Sequence, residues 1–257
     1  MTTSDFERKS TAGRNTPVLF LYRWLVIAPF LALSTLTLGA LIIPLSVAGY
    51  PDFASRVLAR TWARLNMFVS LIGIKVIGRE NINPAQSYVV VSNHQSLIDI
   101  YVLYGHLGVD LKWVMKKELR AVPVLGLACE VMGHIIVDRS NTEAALASIN
   151  NARERIRNGI SVVFFPEGTR SRTGELGPFK KGAFRLAQEL GLPVLPVTVH
   201  HTRDVLPSDS TEIVPGDVIL EIGKPIPTAG LATADVEKLA AEAHQYIADA
   251  LRQRQRS

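Results

Sequence analysis

Cysteine is almost missing from the sequence, since Cys129 is the single one among 257 residues. No disulfide can therefore form within the chain, which excludes a disulfide framework and fits a reducing compartment. Motifs for metal and nucleotide chemistry are missing too: the chain has no HExxH, no CxxC, no Walker loop and no dinucleotide fingerprint. The sequence thus predicts a protein without a metal site or a bound cofactor.

Charge is missing from residue 24 to residue 51, over WLVIAPFLALSTLTLGALIIPLSVAGYP. A helix needs about 20 apolar residues to cross the bilayer core, so this run predicts a membrane anchor. A cleavable signal peptide, the alternative, has an apolar part of only about 7–15 residues. The net charge of +5 favours anionic partners. It is spread along the chain rather than clustered with aromatic side chains, so nucleic acid is not expected among them.

Basic residues lie on both sides of the uncharged run: Arg14, Arg23, Arg56, Arg60 and Arg64. The positive-inside rule places both flanks on the cytoplasmic side of the membrane, which a single straight crossing does not allow. A helix within one leaflet, or a re-entrant pair broken near Pro29, Gly39 or Pro44, satisfies the rule. The predicted location is therefore the cytoplasmic side of the cell inner membrane.

Three of these arginines, Arg56, Arg60 and Arg64, recur at every fourth position and form one stripe of a predicted helix. Next to a membrane segment, this pattern favours an interfacial helix with its arginines among lipid phosphates. Anionic membrane lipids are then predicted partners. The alternative is a solvated charged face on a helix whose apolar side packs against the protein.

Short runs rich in valine and isoleucine alternate with helical patterns after about residue 81. The predicted strands cover residues 87–93, 111–115, 134–138, 161–166, 193–199 and 218–223. The predicted helices cover residues 96–107, 141–159, 179–191 and 234–256. Such alternation predicts an α/β fold with a mostly parallel sheet flanked by helices. Functional residues are then expected at the carboxyl ends of the strands.

The segment NHQSLID places His94 just after a predicted strand and Asp99 five residues later. In one continuous helix, such positions lie about 140° apart and the side chains would not meet. They meet if His94 stands in a loop and the helix starts after it, with Ser96 as the N-cap. A histidine held by a carboxylate is a general base. Two alternatives stay open: a capping box in which Asp99 serves only backbone amides, and a Ser-His-Asp triad with Ser92 or Ser96.

A second polar segment, FFPEGTRSRTGELGPFKKGAF (residues 164–184), also follows a predicted strand. Arginine in a glycine-containing turn, with helix-start amides nearby, makes a phosphate site. A solvated basic loop is the alternative.

These segments occur in one order: NHQSLID, FPEGTRS, FKKGAF and the proline-bearing strand VLPVTV. In that order the chain resembles the glycerolipid acyltransferase family over about residues 80 to 200, with its patterns NHxxxxD, FPEGTRS and FKxGxF. GHIIVDRS resembles the family's second motif and contains Arg139. KKEL resembles a stretch with a phosphate-binding lysine, which is either Lys116 or Lys117. A two-helix amino-terminal membrane motif of the family matches residues 20–75.

The resemblance implies transfer of a fatty acyl group from an acyl thioester to the sn-2 hydroxyl of lysophosphatidate, without a covalent acyl-enzyme. His94 would take the hydroxyl proton and Asp99 would orient His94. The implied substrate-binding residues are Lys116, Lys117, Arg139, Glu167, Gly168, Thr169, Arg170 and Lys180. The acyl donor would be acyl-coenzyme A or an acyl carrier protein.

The predicted organisation has three parts: a flexible basic amino terminus (residues 1–19), the membrane-anchoring two-helix motif (20–75) and an acyltransferase domain (76–257). Two other functions stay open, namely an acyltransferase for another lysolipid, such as a lyso-ornithine lipid, and a catalytically silent lipid-binding module. A silent module would be free to lack His94, Asp99, Glu167 and Arg170, and all four are present.

Overall fold

A seven-stranded sheet forms the centre of the computed structural model, which describes residues 16–138, 156 and 158–255. The strands are β1 (Ile72–Ile77), β2 (Val89–Ser92), β3 (Asp110–Lys116), β4 (Ile135–Val137), β5 (Ile160–Phe164), β6 (Val194–His200) and β7 (Gly216–Ile222). Their order is β1-β7-β6-β2-β5-β3-β4. Only β6 and β7 are antiparallel neighbours among these strands. The predicted mostly parallel sheet is therefore confirmed.

Seven helices accompany these strands in the described part of the chain. They are α1 (Pro17–Val47), α2 (residues 51–69), α3 (Ile98–His106), α4 (Leu125–Val131), α5 (Gly182–Leu190), α6 (Thr202–Val205) and α7 (Val236–Gln255). Helix α5 ends at Gly191, whose φ of 62° is the left-handed conformation that glycine adopts readily. The helix predicted at 141–159 lies almost wholly outside the described residues.

Strand β2 shows why the central strands have uninterrupted apolar sequences. Val90 packs in the cluster that contains α2 and α3, whereas Val89 and Val91 pack in the cluster that contains α5 and α7. All three are fully buried, because helices cover both faces of the sheet. The carboxyl ends of β2, β3, β4, β5 and β6 meet at one edge, which we call the carboxyl edge.

The six predicted strands correspond to β2–β7, and β1 was not predicted. β1 pairs with β7 alone, at the border of the sheet, and most of its residues are half-buried. An edge strand of this kind lacks the continuous apolar run of a central strand, so its signal is weak. It runs across residues 75 and 76, where the membrane motif was predicted to end. The predicted division into domains stays a prediction.

Helix α1 is continuous from Pro17 to Val47 and is long and apolar enough to cross a membrane by length and composition. The break considered near Pro29, Gly39 or Pro44 is not seen. Pro29 stands in the first turn after a π-helical segment, where its missing N–H is tolerated. The chain turns instead at residues 48–50, where Gly49 has a φ of 95°.

Helices α1 and α2 are joined to each other and to the sheet by polar contacts. The Tyr22 hydroxyl donates to the Val69 carbonyl at 2.8 Å, which places the start of α1 beside the end of α2. Buried Arg23 donates through Nε to the Ile213 carbonyl at 2.7 Å. Buried Lys112 in β3 donates to Asp52 Oδ1 at 3.1 Å. The amino-terminal helices are therefore packed onto the sheet domain at several points.

The arginine stripe of α2 donates hydrogen bonds to the protein, while Arg56 and Arg64 stay exposed, so its predicted position among lipid phosphates stays a prediction. Its hydrogen bonds run from Arg56 Nε to Asp110 Oδ2 (3.1 Å), from Arg60 to the Val109 carbonyl (3.2 Å) and from Arg64 Nε to the Gly105 carbonyl (2.8 Å). Cations are stabilised there by the carboxyl end of α3. The exposed apolar side chains of α2 are Phe53, Val57, Leu65 and Phe68.

Candidate active site

The loop after β2 begins with a side chain that imitates the backbone of a strand. Asn93 donates from Nδ2 to the Val199 carbonyl at 2.8 Å and accepts the Val199 N–H on Oδ1 at 2.8 Å. The main chain leaves the sheet after β2, and the Asn93 side chain keeps this point of the chain bound to β6. His94 follows in the loop, at the carboxyl edge, as its position after a predicted strand indicated.

His94 and Asp99 meet across this loop. His94 Nδ1 lies 2.8 Å from Asp99 Oδ2, and the Asp99 side chain is fully buried. The same oxygen accepts the backbone N–H groups of Gln95 at 2.7 Å and Ser96 at 2.9 Å. The predicted contact and the alternative capping contact are therefore both present, on one carboxylate oxygen.

The start of α3 differs by one residue from the prediction. The helix begins at Ile98, so its N-cap is Leu97 rather than Ser96. The Ser96 hydroxyl still accepts the Ile98 N–H at 3.1 Å. Asp99 lies in the first turn, and its carboxylate folds back over the loop to reach the amides that precede the helix.

The hydrogen bond to Asp99 determines which nitrogen of His94 is basic. An ionised carboxylate only accepts hydrogen bonds, so Nδ1 carries the proton and Nε2 keeps its lone pair. Nε2 has no hydrogen-bond partner among the described residues, and 15% of the side chain is exposed. The ring also stacks on Phe165, with centroids 3.8 Å apart and planes 10° apart. The imidazole is therefore held in place with Nε2 available to a substrate.

The serines beside His94 do not form a triad with it. The Ser92 hydroxyl donates to the Asn93 carbonyl at 3.2 Å, and the Ser96 hydroxyl donates to the Leu206 carbonyl at 2.7 Å. Both side chains are fully buried. The Ser-His-Asp alternative is thus wrong, because neither hydroxyl proton is directed to the imidazole.

Glu167 joins the turn after β5 to the loop after β2. Its Oε1 accepts the His94 N–H at 2.7 Å, and its Oε2 accepts the Gly177 N–H at 2.9 Å. A third bond runs from the Ser171 N–H to the His94 carbonyl at 2.8 Å. Burial raises the pKa of Glu167, and the two accepted N–H groups offset part of that rise. In the described residues, the Glu167 carboxylate therefore fixes the backbone positions of His94 and Gly177.

Cations lie in the same turn. Gly168 has a φ of 79°, and a Cβ added there would lie 2.8 Å from Lys180 Nζ, so the lysine crosses the glycine backbone. Arg170 is half-buried, and Thr169 and Lys180 are exposed. Neither the Arg170 side chain nor the Lys180 side chain has a hydrogen bond or an ion pair with any described residue. Two positive charges thus lie in the turn that is bonded to the loop of His94, without a carboxylate from the described residues to neutralise them.

The two lysines at the end of β3 differ in their partners. Lys117 Nζ binds Asp138 Oδ2 at 2.6 Å, and this hydrogen bond raises the pKa of Lys117. Lys116 is exposed and has no ion pair within the described ranges. Of this pair, Lys116 is therefore the one whose charge is unmatched. Arg139, the remaining predicted residue of the site, lies outside the described residues.

Two residues of the site were not found from the sequence. Phe165 supplies the ring on which His94 stacks, and Thr202 donates through Oγ1 to Asp99 Oδ1 at 2.5 Å. Thr202 follows the carboxyl end of β6, so its place after a predicted strand was the available signal. Phe165 opens the FPEGTRS segment, but the pattern does not indicate that its ring stacks on His94.

Comparisons with known proteins bear on this site. A family model described as Acyltransferase matches residues 73–200. The 1-acyl-sn-glycerol-3-phosphate acyltransferase of Saccharomyces cerevisiae is 32% identical over 211 residues, which make up 81% of this chain and 69% of that protein. A chloroplastic 1-acyl-sn-glycerol-3-phosphate acyltransferase of Brassica napus is 39% identical over 171 residues, or 66% of this chain and 49% of that protein. The chain thus spans about half the length of the plant relatives it matches.

A solved structure has the same fold. The 1-acyl-sn-glycerophosphate acyltransferase PlsC from Thermotoga maritima matches with a TM-score of 0.76 at 24% identity. The match covers 93% of this chain and 95% of that chain.

Proposed function

The chain belongs to the acyltransferase family, and from this premise we propose that it transfers a fatty acyl group from an acyl thioester to the sn-2 hydroxyl of lysophosphatidate. The product is phosphatidate. One observation carries the proposal: an imidazole with Nδ1 held by a buried carboxylate and Nε2 available, next to cations that the described protein residues leave unpaired. The names of the curated relatives support the same substrate.

The reaction needs one proton to be held and passed on. His94 Nε2 takes the proton of the acceptor hydroxyl while the oxygen attacks the carbonyl carbon of the thioester. The new C–O bond forms, the C–S bond breaks, and the imidazolium returns its proton to the leaving sulfur. Asp99 stays ionised and stabilises the imidazolium. A general base in this position accelerates proton transfer by roughly 10²–10⁴-fold.

The acceptor phosphate would bind at the cations of the turn after β5. The bond between the Ser171 N–H and the His94 carbonyl keeps Arg170 close to the catalytic loop. A guanidinium offers a planar pair of donors to phosphate. Lys180 would add a second charge, and Lys116 a third from the end of β3. Glu167 and Gly168 would shape the turn around the glycerol, together with Thr169.

Helix α1 would hold the enzyme at the membrane. Most of its apolar side chains are exposed in the structure, as expected of a helix whose surroundings are lipid. The start of α1 lies beside the end of α2, at the Tyr22–Val69 hydrogen bond. This placement supports an anchor that enters and leaves on one side, with the active site on the cytoplasmic face of the inner membrane. Anionic lipids and a soluble donor, acyl-coenzyme A or acyl carrier protein, complete the proposed partners.

Acyl transfer by the purified protein tests the proposal directly. Lysophosphatidate, a lyso-ornithine lipid and a lysophospholipid without a phosphomonoester are each presented in vesicles, with each of the two donors. We expect turnover to be highest with lysophosphatidate. Preference for another lysolipid would show that the proposed acceptor is wrong and that the proposed acyl transfer is right. Vesicle binding without transfer to any acceptor would contradict the proposal and indicate a silent lipid-binding module.

Membrane topology is tested with single cysteines. Ser10→Cys and Ala85→Cys are introduced separately into a Cys129→Ala background, which removes the one native thiol. In intact spheroplasts, neither position should react with an impermeant reagent, and both should react after lysis. Labelling of position 10 from outside would contradict the same-side anchor.

A further inference from the structure

We infer that Thr202 is a positioning residue of the reaction, which orients the Asp99 carboxylate and, through it, the imidazole of His94. The inference rests on the proposed role of His94 as general base. It concerns a residue outside the segments NHQSLID and FPEGTRS, and it starts from the two oxygens of Asp99.

The two oxygens of Asp99 have different partners. Oδ2 receives His94 Nδ1 and the N–H groups of Gln95 and Ser96. Oδ1 receives the Thr202 hydroxyl at 2.5 Å, and Thr202 is its one hydrogen-bond donor among the described residues. Asp99 and Thr202 are both fully buried. A buried carboxylate oxygen without a donor is strongly unfavourable, so the hydroxyl completes the solvation of this charge.

Thr202 is itself held by the fold. It opens α6, and the residue before it, His201, has a φ of 65°, a left-handed conformation that is uncommon for residues other than glycine. The Leu206 N–H donates to the Thr202 carbonyl at 2.9 Å, and the Leu206 carbonyl accepts the Ser96 hydroxyl at 2.7 Å. The segment after β6 is therefore bound to the loop of His94 at two points, and its hydroxyl is pre-organised towards Asp99.

The hydroxyl has two expected effects on His94. It limits rotation of the carboxylate, so that Oδ2 stays directed at Nδ1. It also draws negative charge towards Oδ1, which moderates the attraction between Oδ2 and the imidazolium. Loss of the hydroxyl should therefore lower kcat through poorer orientation and move the protonation of His94 to higher pH.

Two variants separate the hydroxyl from the methyl group. Thr202→Val keeps the shape and the β-branch and removes the donor, whereas Thr202→Ser keeps the donor and removes the methyl. If Thr202 only fills space, Val is the better replacement. If Thr202 positions Asp99, Ser is the better one. Thr202→Cys, whose thiol is a weak donor, should lie between them and serves if the valine variant does not fold.

Steady-state kinetics on the full chain, with kcat/KM followed from pH 5 to pH 9, is the test. We expect kcat to fall about tenfold in Thr202→Val, as for loss of a hydrogen bond to a charged group, with KM for both substrates within about twofold of the wild type. The acid limb of kcat/KM should move to higher pH. Thr202→Ser should stay within about threefold of the wild-type kcat and keep the wild-type Tm, whereas Thr202→Val should lower the Tm because Asp99 Oδ1 is then buried without a donor. Normal kcat and an unshifted profile in Thr202→Val would overturn the inference, as would a better rescue by Val than by Ser.

An NMR titration of the His94 ring in the same variants distinguishes failure of this inference from failure of the proposed function. If the wild type transfers no acyl group, the proposed function fails. A titration midpoint of His94 that moves in Thr202→Val and not in Thr202→Ser would still support the positioning contact. A midpoint unchanged in both variants would refute it whatever the activity.

Discussion

The loop after β2 and the turn after β5 lie side by side at the carboxyl edge and differ in how completely their polar groups are satisfied. In the first, Asn93, Ser96 and Asp99 are fully buried and hydrogen-bonded. In the second, the side chains of Arg170 and Lys180 have no partner among the described residues. Proton transfer depends on atoms held within tenths of an ångström, whereas attraction between charges acts over several ångströms. The proposed base is therefore held in place by the fold, and the cations stay available to the proposed phosphate.

Removal of the base should have the largest effect. His94→Ala should lower kcat by about 10³-fold, within the range for a lost general base, with only a modest fall in Tm from the lost contacts with Phe165 and Asp99. His106→Gln is the matched control, since His106 lies at the other end of α3. Both variants are measured by acyl transfer and thermal unfolding. Substantial turnover in His94→Ala would show that the ordered loop is not the catalytic one.

Asp99→Asn tests whether charge or position matters in the ordered loop. The amide oxygen can occupy the place of Oδ2 and accept the same three donors, while the amide nitrogen faces Thr202 Oγ1. Geometry and tautomer are then kept and the negative charge is lost. We expect kcat to fall about 10²-fold and the acid limb of the pH profile to move to lower pH. Near-normal kcat with a small change in Tm would mean that Asp99 serves only the backbone amides.

The turn after β5 should respond in KM rather than in kcat. Arg170→Ala should raise the KM for lysophosphatidate tenfold to a hundredfold, for a lost contact of about 1.5–3 kcal/mol. Arg170→Lys should recover only part, because an ammonium does not make the planar bidentate contact. Arg172→Ala, an exposed arginine of the same turn, is the control and should change KM little. Equal effects of the two alanine variants would mean that Arg170 makes no specific contact with the phosphate and that only the general positive charge of the turn attracts it.

Substitution of the two lysines at the end of β3 should have the smallest effect on KM. Comparing the two variants identifies the lysine that binds the phosphate. Lys116→Ala should raise KM about threefold to tenfold, as expected for an exposed charge. Lys117→Ala should change it less than about twofold, because Asp138 already pairs with Lys117. Titrations of lysophosphatidate with both variants supply the comparison. The reverse order would assign the phosphate to Lys117 and make Asp138 its competitor.

The amino-terminal helices show where a pattern is ambiguous. The spacing of Arg56, Arg60 and Arg64 correctly indicates one face of a helix, but either lipid or protein suits such a face. The carbonyls of Val109 and Gly105, which occupy it, come from the end of α3 and the residues that follow. Periodicity predicts which side chains lie together on a helix and does not specify what lies opposite them.

Local patterns in the sequence were enough to predict the strand–loop–helix alternation, the carboxyl edge as the place of the candidate site, and the contact between His94 and Asp99. These predictions follow from local hydrophobic periodicity and from the residues at the start of α3, and both signals lie within a few neighbouring positions of the sequence. Three features became visible only in the folded chain: the edge strand β1, the partners of the arginine stripe and the contact of Thr202 with Asp99. The last joins residues 103 positions apart. A hydroxyl 103 residues away leaves no mark on the pattern around Asp99, because the packing of α6 against α3 brings the two together.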